Sequence, residues 1–123
     1  VNVHPFFSGS PVEKSVQWVF DYLLQQIGNK LSPVNHQKLT IAEVGWPFSG
    51  GSYQEAIASP TKAQYFFKDF VTNARDYQYP YYYFEAFDEP WKEVFYEGNN
   101  TWETEWGIYD AKRNIKVDIN SII

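Results

Sequence analysis

Carboxylates collect in this sequence at points where an apolar run gives way to a loop. Glu43 lies near the end of the run Leu39–Val44, two positions ahead of a Gly45–Trp46–Pro47 break that no strand can continue. Glu85, Asp88 and Glu89 follow or close the aromatic run Tyr81–Phe87, and His4 follows the short apolar stretch at the start of the chain. In parallel α/β folds, reacting groups stand at the carboxyl ends of strands. Two carboxylates in such a place can divide a glycoside cleavage between them. One attacks as nucleophile and the other serves as acid/base, about 5–5.5 Å apart when the sugar configuration is retained. Aromatic rings would hold the sugar faces, and Trp, Tyr and Phe make up 20% of the chain.

Each of these residues also has a plain structural reading. A single glutamate at a strand end is more often solvated or capping than catalytic. Trp46, Trp91, Trp102 and Trp106 are, taken alone, more often packing residues than sugar platforms. His4 beside Pro5 reads as a hydrogen-bonded structural histidine, and Lys92 alone as a surface lysine. His4 and His36 lack the spacing of a metal site. There is no GxSxG, P-loop or GxGxxG motif, and Gly50–Gly51 reads as a plain loop. Asn99–Asn100–Thr101 fits the N-glycosylation sequon.

The elements that must position these groups alternate. Val1–His4 is a first strand. Ser10, Pro11 and Glu13 make a capping box for a helix with the stripe Val12, Val16, Val19, Phe20, Leu23 and Ile27, ended by Gly28–Asn29. Leu39–Val44 is a second strand, apolar on both faces except Thr40 and Glu43, as a covered parallel strand requires. Alternation puts Glu43 on one face with Leu39 and Ile41. Ser59–Pro60 opens a second helix with the stripe Ala63, Phe66, Phe67, Phe70, Val71 and Ala74. Tyr81–Phe87 is a third strand whose alternation groups Glu85 and Glu89 with Tyr81, Tyr83 and Phe87. Ile115–Ile123 is a short tail. Strand, helix, strand, helix, strand is the pattern of a parallel α/β sheet.

Length and charge narrow the partners. The 123 residues suit one domain, and 44% apolar content can supply a core. A net charge of −5 argues against nucleic acid and against an anionic membrane surface. No apolar run is long enough for a membrane span. With no cysteine, disulfides and thiolate chemistry are excluded. A neutral sugar is compatible with all of this.

Four ordered motifs, NVHPFF (2–7), AEVGWPFSGG (42–51), YYYFEAFDEPWK (81–92) and EWGIYDAKRNIK (105–116), resemble glycoside hydrolase family 17, in its fungal and bacterial rather than plant form. The resemblance covers essentially the whole chain. It implies an enzyme, a retaining β-1,3-glucanase or β-1,3-glucanosyltransferase with a (β/α)₈ barrel, no cofactor and no metal. It implies that residues 1–123 are the C-terminal part of that single catalytic domain, strands six to eight, with the N-terminal half absent. Glu43 then matches the nucleophile. Glu89 and Lys92 match a glutamate and lysine close to it, and a lysine there would hold the Glu43 pKa down. Glu103 or Glu105 matches a further acidic residue. Asn2, His4 and Phe6 would line the glucan cleft, where plant members carry Tyr in place of His4. Trp46 and Trp91 would be subsite aromatics, and Glu85 would also meet substrate. The acid/base glutamate belongs to strand four, upstream of Val1. The implied partners are β-1,3-glucan and the missing half of the barrel, and the implied location is outside the cell or at the cell wall. The alternative is a non-catalytic β-glucan-binding fragment.

Overall fold

The stripe beginning at Val12 folds as helix α1 (Val12–Asp21), which widens into a π-helical turn over Tyr22–Ile27 and tightens into a 3₁₀ turn at Gly28–Lys30. These assignments come from a computed structural model that describes residues 1–122. Val12, Val16, Val19, Phe20 and Leu23 are buried as the periodicity requires. The capping box does not form. Pro11, in extended conformation, precedes the first helical residue with no side-chain cap. Glu13 instead turns to Lys62, whose Nζ donates to Oε1 at 2.7 Å, because an ammonium is a stronger partner than a backbone N–H.

A short helix α2 (Pro33–His36) leads into strand β1 (Ile41–Val44). The loop after it carries a β-hairpin absent from the sequence reading, β2 (Gly51–Tyr53) against β3 (Ala56–Ala58). Helix α3 (Pro60–Tyr77) opens as expected, with Ser59 Oγ accepting from Lys62 N at 3.1 Å. It buries Ala63, Phe66, Phe67, Phe70 and Ala74. Phe20 of α1 stacks on Phe70 (5.9 Å between centroids) and on Tyr77 (4.5 Å). Each fully buried phenylalanine contributes roughly 1.5–3 kcal/mol.

Strand β4 (Tyr81–Tyr83) runs parallel to β1, with Ile41 opposite Tyr81 and Val44 opposite Tyr83. On the other side of β1 the N-terminal segment joins in parallel at Asn2 and Glu43. Val3 N donates to Glu43 O at 2.8 Å and Ala42 N to Val1 O at 2.6 Å. Three parallel segments, linked by helical crossovers, thus stand side by side. Tyr81 and Tyr83 lean on Phe70 and Phe67 of α3 (5.0 and 5.1 Å).

Two expectations about these strands are corrected. A register irregularity lies between Ile41 and Val44, which are both buried, while Glu43 is half-buried and Ala42 exposed. Strict alternation therefore does not hold along β1. The third strand ends at Tyr83, not Phe87. Beyond it, Glu85 N donates to Trp106 O (3.2 Å) and Ile108 N to Glu85 O (2.9 Å), so the later segment takes the ladder bonds. Phe87 then pairs with Tyr109 in a separate parallel bridge. Short 3₁₀ turns at Pro90–Phe95, Trp102–Thr104 and Ile119–Ile122 complete the chain, and Ile123 of the expected tail lies outside the described residues. Among the described residues, no helix is long and apolar enough to cross a membrane.

Candidate active site

Gly45 explains why β1 releases the chain where it does. A Cβ at this position would collide with the Phe84 carbonyl just beyond β4, so only glycine fits. The chain then turns inward. Trp46 is fully buried, donates Nε1–H to Ile57 O at 2.9 Å and packs on Phe66 (5.6 Å). It anchors the hairpin to the core and presents no face to a sugar, which corrects its expected role as a subsite aromatic. Phe6 is likewise 0% exposed, wedged edge-on against Trp46 and Trp102 at 5.3 Å each. Its place is in the core, which corrects its expected place lining a glucan cleft.

Glu43 is left at the strand end with a half-exposed carboxylate. His4 Nε2 lies 2.9 Å from its Oε2. A carboxylate only accepts, and His4 Nδ1 is buried without a partner among the described residues, so the geometry puts the imidazole proton on Nε2. The ring of His4 is fixed edge-on by Phe84 and Trp106, each 5.4 Å away, and Phe84 and Trp106 meet at 5.8 Å. Asn2 sits beside Glu43 through the backbone bridge and is exposed. The role of Trp106 in setting His4 was not legible as a site feature. The EWG motif marks it, but nothing in its spacing points back to residue 4.

A second polar cluster forms from the segment after β4. Lys92 Nζ donates to both oxygens of Glu85, at 3.2 and 3.3 Å, and pairs closely with Glu89. It also sits over the Phe84 ring, 4.9 Å from the centroid. The lysine expected at Glu43 therefore binds Glu85 and Glu89, while His4 is the residue that meets Glu43. Burial, reinforced by a hydrogen bond with Glu89, pushes Glu85 up to about 7 despite the opposing charge of Lys92. The hydrogen bond from Lys92 holds Glu89 below the usual carboxylate range. Burial pulls Lys92 down, but Glu89 and Glu85 outweigh it and its pKa rises. Trp91, on the same turn, is 61% exposed and free to stack on a ligand.

Glu105 belongs to a third cluster. Asp88 accepts from Lys116 Nζ at 2.6 and 2.7 Å and from Gly107 N at 2.9 Å, and Lys116 lies 3.7 Å from Glu105. Burial and the Asp88 charge raise the Glu105 pKa against the pull of Lys116. Glu103 is elsewhere, lining a cavity with Phe7 and Tyr53. The two glutamates that sequence alone left open thus face different surroundings.

Among the known proteins compared with this chain, the profile of the BtgE/BtgC glycoside hydrolase domain matches residues 1–107. A probable glucan endo-1,3-beta-glucosidase, btgC, of Aspergillus fumigatus is 38% identical over 126 residues, covering 94% of this chain and 18% of its own length. This chain thus spans about a fifth of the length of such curated relatives. The crystal structure of a glycoside hydrolase family 17 beta-1,3-glucanosyltransferase from Rhizomucor miehei superposes with a TM-score of 0.79 at 26% identity, over 96% of this chain and 41% of that one. An active-site mutant of the Rhizomucor miehei enzyme in complex with laminaritriose gives a TM-score of 0.80 at 24% identity, with the same coverage. The fold is accordingly that of part of a family 17 (β/α)₈ barrel, and the chain belongs to the BtgE/BtgC glycoside hydrolase domain family within glycoside hydrolase family 17.

Proposed function

We propose that this protein acts on β-1,3-glucan as a retaining glycoside hydrolase or transglycosylase, with Glu43 as nucleophile. On this reading residues 1–123 supply strands six to eight of the catalytic barrel, and the acid/base glutamate comes from strand four of the remaining barrel. The observation that carries the reading is the Glu43 carboxylate. It stands at the carboxyl end of β1, half-exposed, and is oriented by the 2.9 Å contact with His4 on an aromatic floor.

In the first step a Glu43 oxygen attacks the anomeric carbon. The glycosidic C–O bond breaks, and the departing sugar oxygen takes the proton of the acid/base. In the second step water or another sugar hydroxyl gives its proton to that same base and displaces Glu43, restoring the β configuration. Hydrolysis and transfer differ only in which hydroxyl arrives. Glu89 and Lys92, with Glu85, Asn2 and Trp91, would hold sugar hydroxyls and faces around the reacting ring, and Glu105 and Glu103 would act further along the chain of sugars. The curated relatives named glucan endo-1,3-beta-glucosidases, and the laminaritriose bound by the Rhizomucor enzyme, support the choice of glucan. On this reading the protein works outside the cell or at the cell wall, where such a glucan would be met.

The test uses the protein carrying its whole barrel. Glu43→Gln should reduce turnover of laminari-oligosaccharides to background while binding stays nearly intact. Turnover retained in this variant would remove Glu43 from the role. Binding without turnover in the unmodified protein would instead make it a glucan-binding module.

A further inference from the structure

The Gly51–Tyr53/Ala56–Ala58 hairpin, which no sequence signal announced, builds one wall of a cavity of about 340 Å³. Phe7 and Tyr53 meet edge-to-face at 5.7 Å, and Phe95, on the 3₁₀ turn after β4, also lines the cavity. All three rings are partly open to solvent, Phe7 at 40%, Tyr53 at 38% and Phe95 at 58%. The polar lining consists of Glu97, Asn100 and Glu103. We propose that this cavity binds one neutral glucosyl unit of a β-1,3-glucan at a distance from Glu43, giving the enzyme its grip on longer chains. The inference rests on the glucan reading above and extends it to a subsite.

The chemistry of the lining selects the ligand. Aromatic faces cover the apolar C–H face of a sugar ring, and two carboxylates with an amide accept and donate to its hydroxyls. Among the described residues no cation lines the cavity, so a phosphate or an acidic sugar would meet only negative charge there. The walls are also pre-set. Thr101 N donates to Gly50 O at 2.8 Å, and a Cβ at Gly50 would collide with the Thr101–Trp102 backbone, which draws the hairpin stem against the opposite wall. Glu55 N donates to Gly9 O at 3.0 Å, pinning the hairpin tip to the turn that carries Phe7. A pocket whose walls do not have to order on binding keeps more of its contact energy. The cavity also shares one buried ring with the candidate site, since Phe7 lies 6.0 Å from Trp106, and Trp106 lies 5.4 Å from His4.

The experiment compares Tyr53→Ala and Phe95→Ala with the unmodified protein, each carrying the whole barrel. KM is measured for laminaritriose and laminarihexaose, and laminarihexaose affinity by calorimetry. The proposal expects the ratio of the hexaose KM to the triose KM to rise about tenfold in either variant, with a matching loss of affinity and with kcat less affected. Tyr53→Phe, which keeps the ring, should retain most of the affinity. A ratio and an affinity that stay unchanged in both alanine variants, while turnover persists, would overturn the subsite and leave the glucan reading standing. Tyr53-dependent binding of laminarihexaose by a protein without turnover would do the reverse. Neither binding nor turnover in the unmodified protein would overturn both.

Discussion

The two sides of the β1–β4 pair are built by opposite rules. On the helix side, Phe20, Phe66, Phe70, Ile41 and Val44 are closed off from water and carry no charge. Tyr81 and Tyr83 pack against this layer from β4. At the strand ends, Glu43, His4, Glu85 and Lys92 are half-buried and held by one another. The first region is fixed by volume and fails when volume is lost. The second is fixed by a few hydrogen bonds among charged groups, each of which changes chemistry more than it changes packing.

Breaking the packed side should have the largest effect. Phe66→Ala should destabilise the fold by about 3–5 kcal/mol, a large share of a typical domain's stability, and remove activity by unfolding. Denaturant unfolding measures this, and a loss under about 1 kcal/mol would mean that the aromatic layer is not what holds β1 and β4.

The polar side should respond in the opposite way. His4→Phe removes the hydrogen bond to Glu43 but keeps a ring between Phe84 and Trp106. A hydrogen bond to a charged group is worth about 1.5–3 kcal/mol, so kcat should fall roughly 10- to 150-fold with little change in melting temperature. His4→Tyr restores a donor and should recover much of the loss. Equal activity of the Phe and Tyr variants would show that the contact with Glu43 does not matter.

The smallest effect is a pH dependence that sharpens the contrast. Glu85 has its pKa raised from 4.5 to about 7, chiefly by burial. Its proton therefore stabilises the fold fully below 4.5, and that contribution is lost as pH rises through about 7. Glu89, held down by Lys92, acts in the opposite sense at lower pH. The melting temperature should decline across the Glu85 window, and Glu85→Gln should flatten the decline. An equally steep decline in the variant would assign the titration to another group.

The same contrast decides what could be read from sequence. The stripes of α1 and α3 and the Ser59 cap were legible because helical periodicity and capping are local. The strand-end position of Glu43 was legible for a similar reason, since the Gly45–Trp46–Pro47 break marks it. The failures were non-local. Trp46 and Phe6 are aromatic residues beside the site, but their burial depends on Phe66 and Trp102, distant in sequence. The hairpin has three-residue strands, one wholly exposed and the other, Ala56–Ala58, apolar at every position, which leaves no polar/apolar alternation to detect. Lys92 was expected at Glu43, yet Glu85 and Glu89, seven and three residues away on the same segment, capture it first. The pairing of His4 with Glu43 spans 39 residues and arises only because the N-terminal segment lies beside β1.

The central claim is that Glu43 forms the bond to sugar. Its most direct test is to trap the intermediate in the protein carrying its whole barrel, using an activated 2-deoxy-2-fluoro laminari-oligosaccharide and peptide mass spectrometry. The account predicts one added glycosyl group, on the peptide containing Glu43. A label on Glu85, Glu89 or any other residue would contradict it.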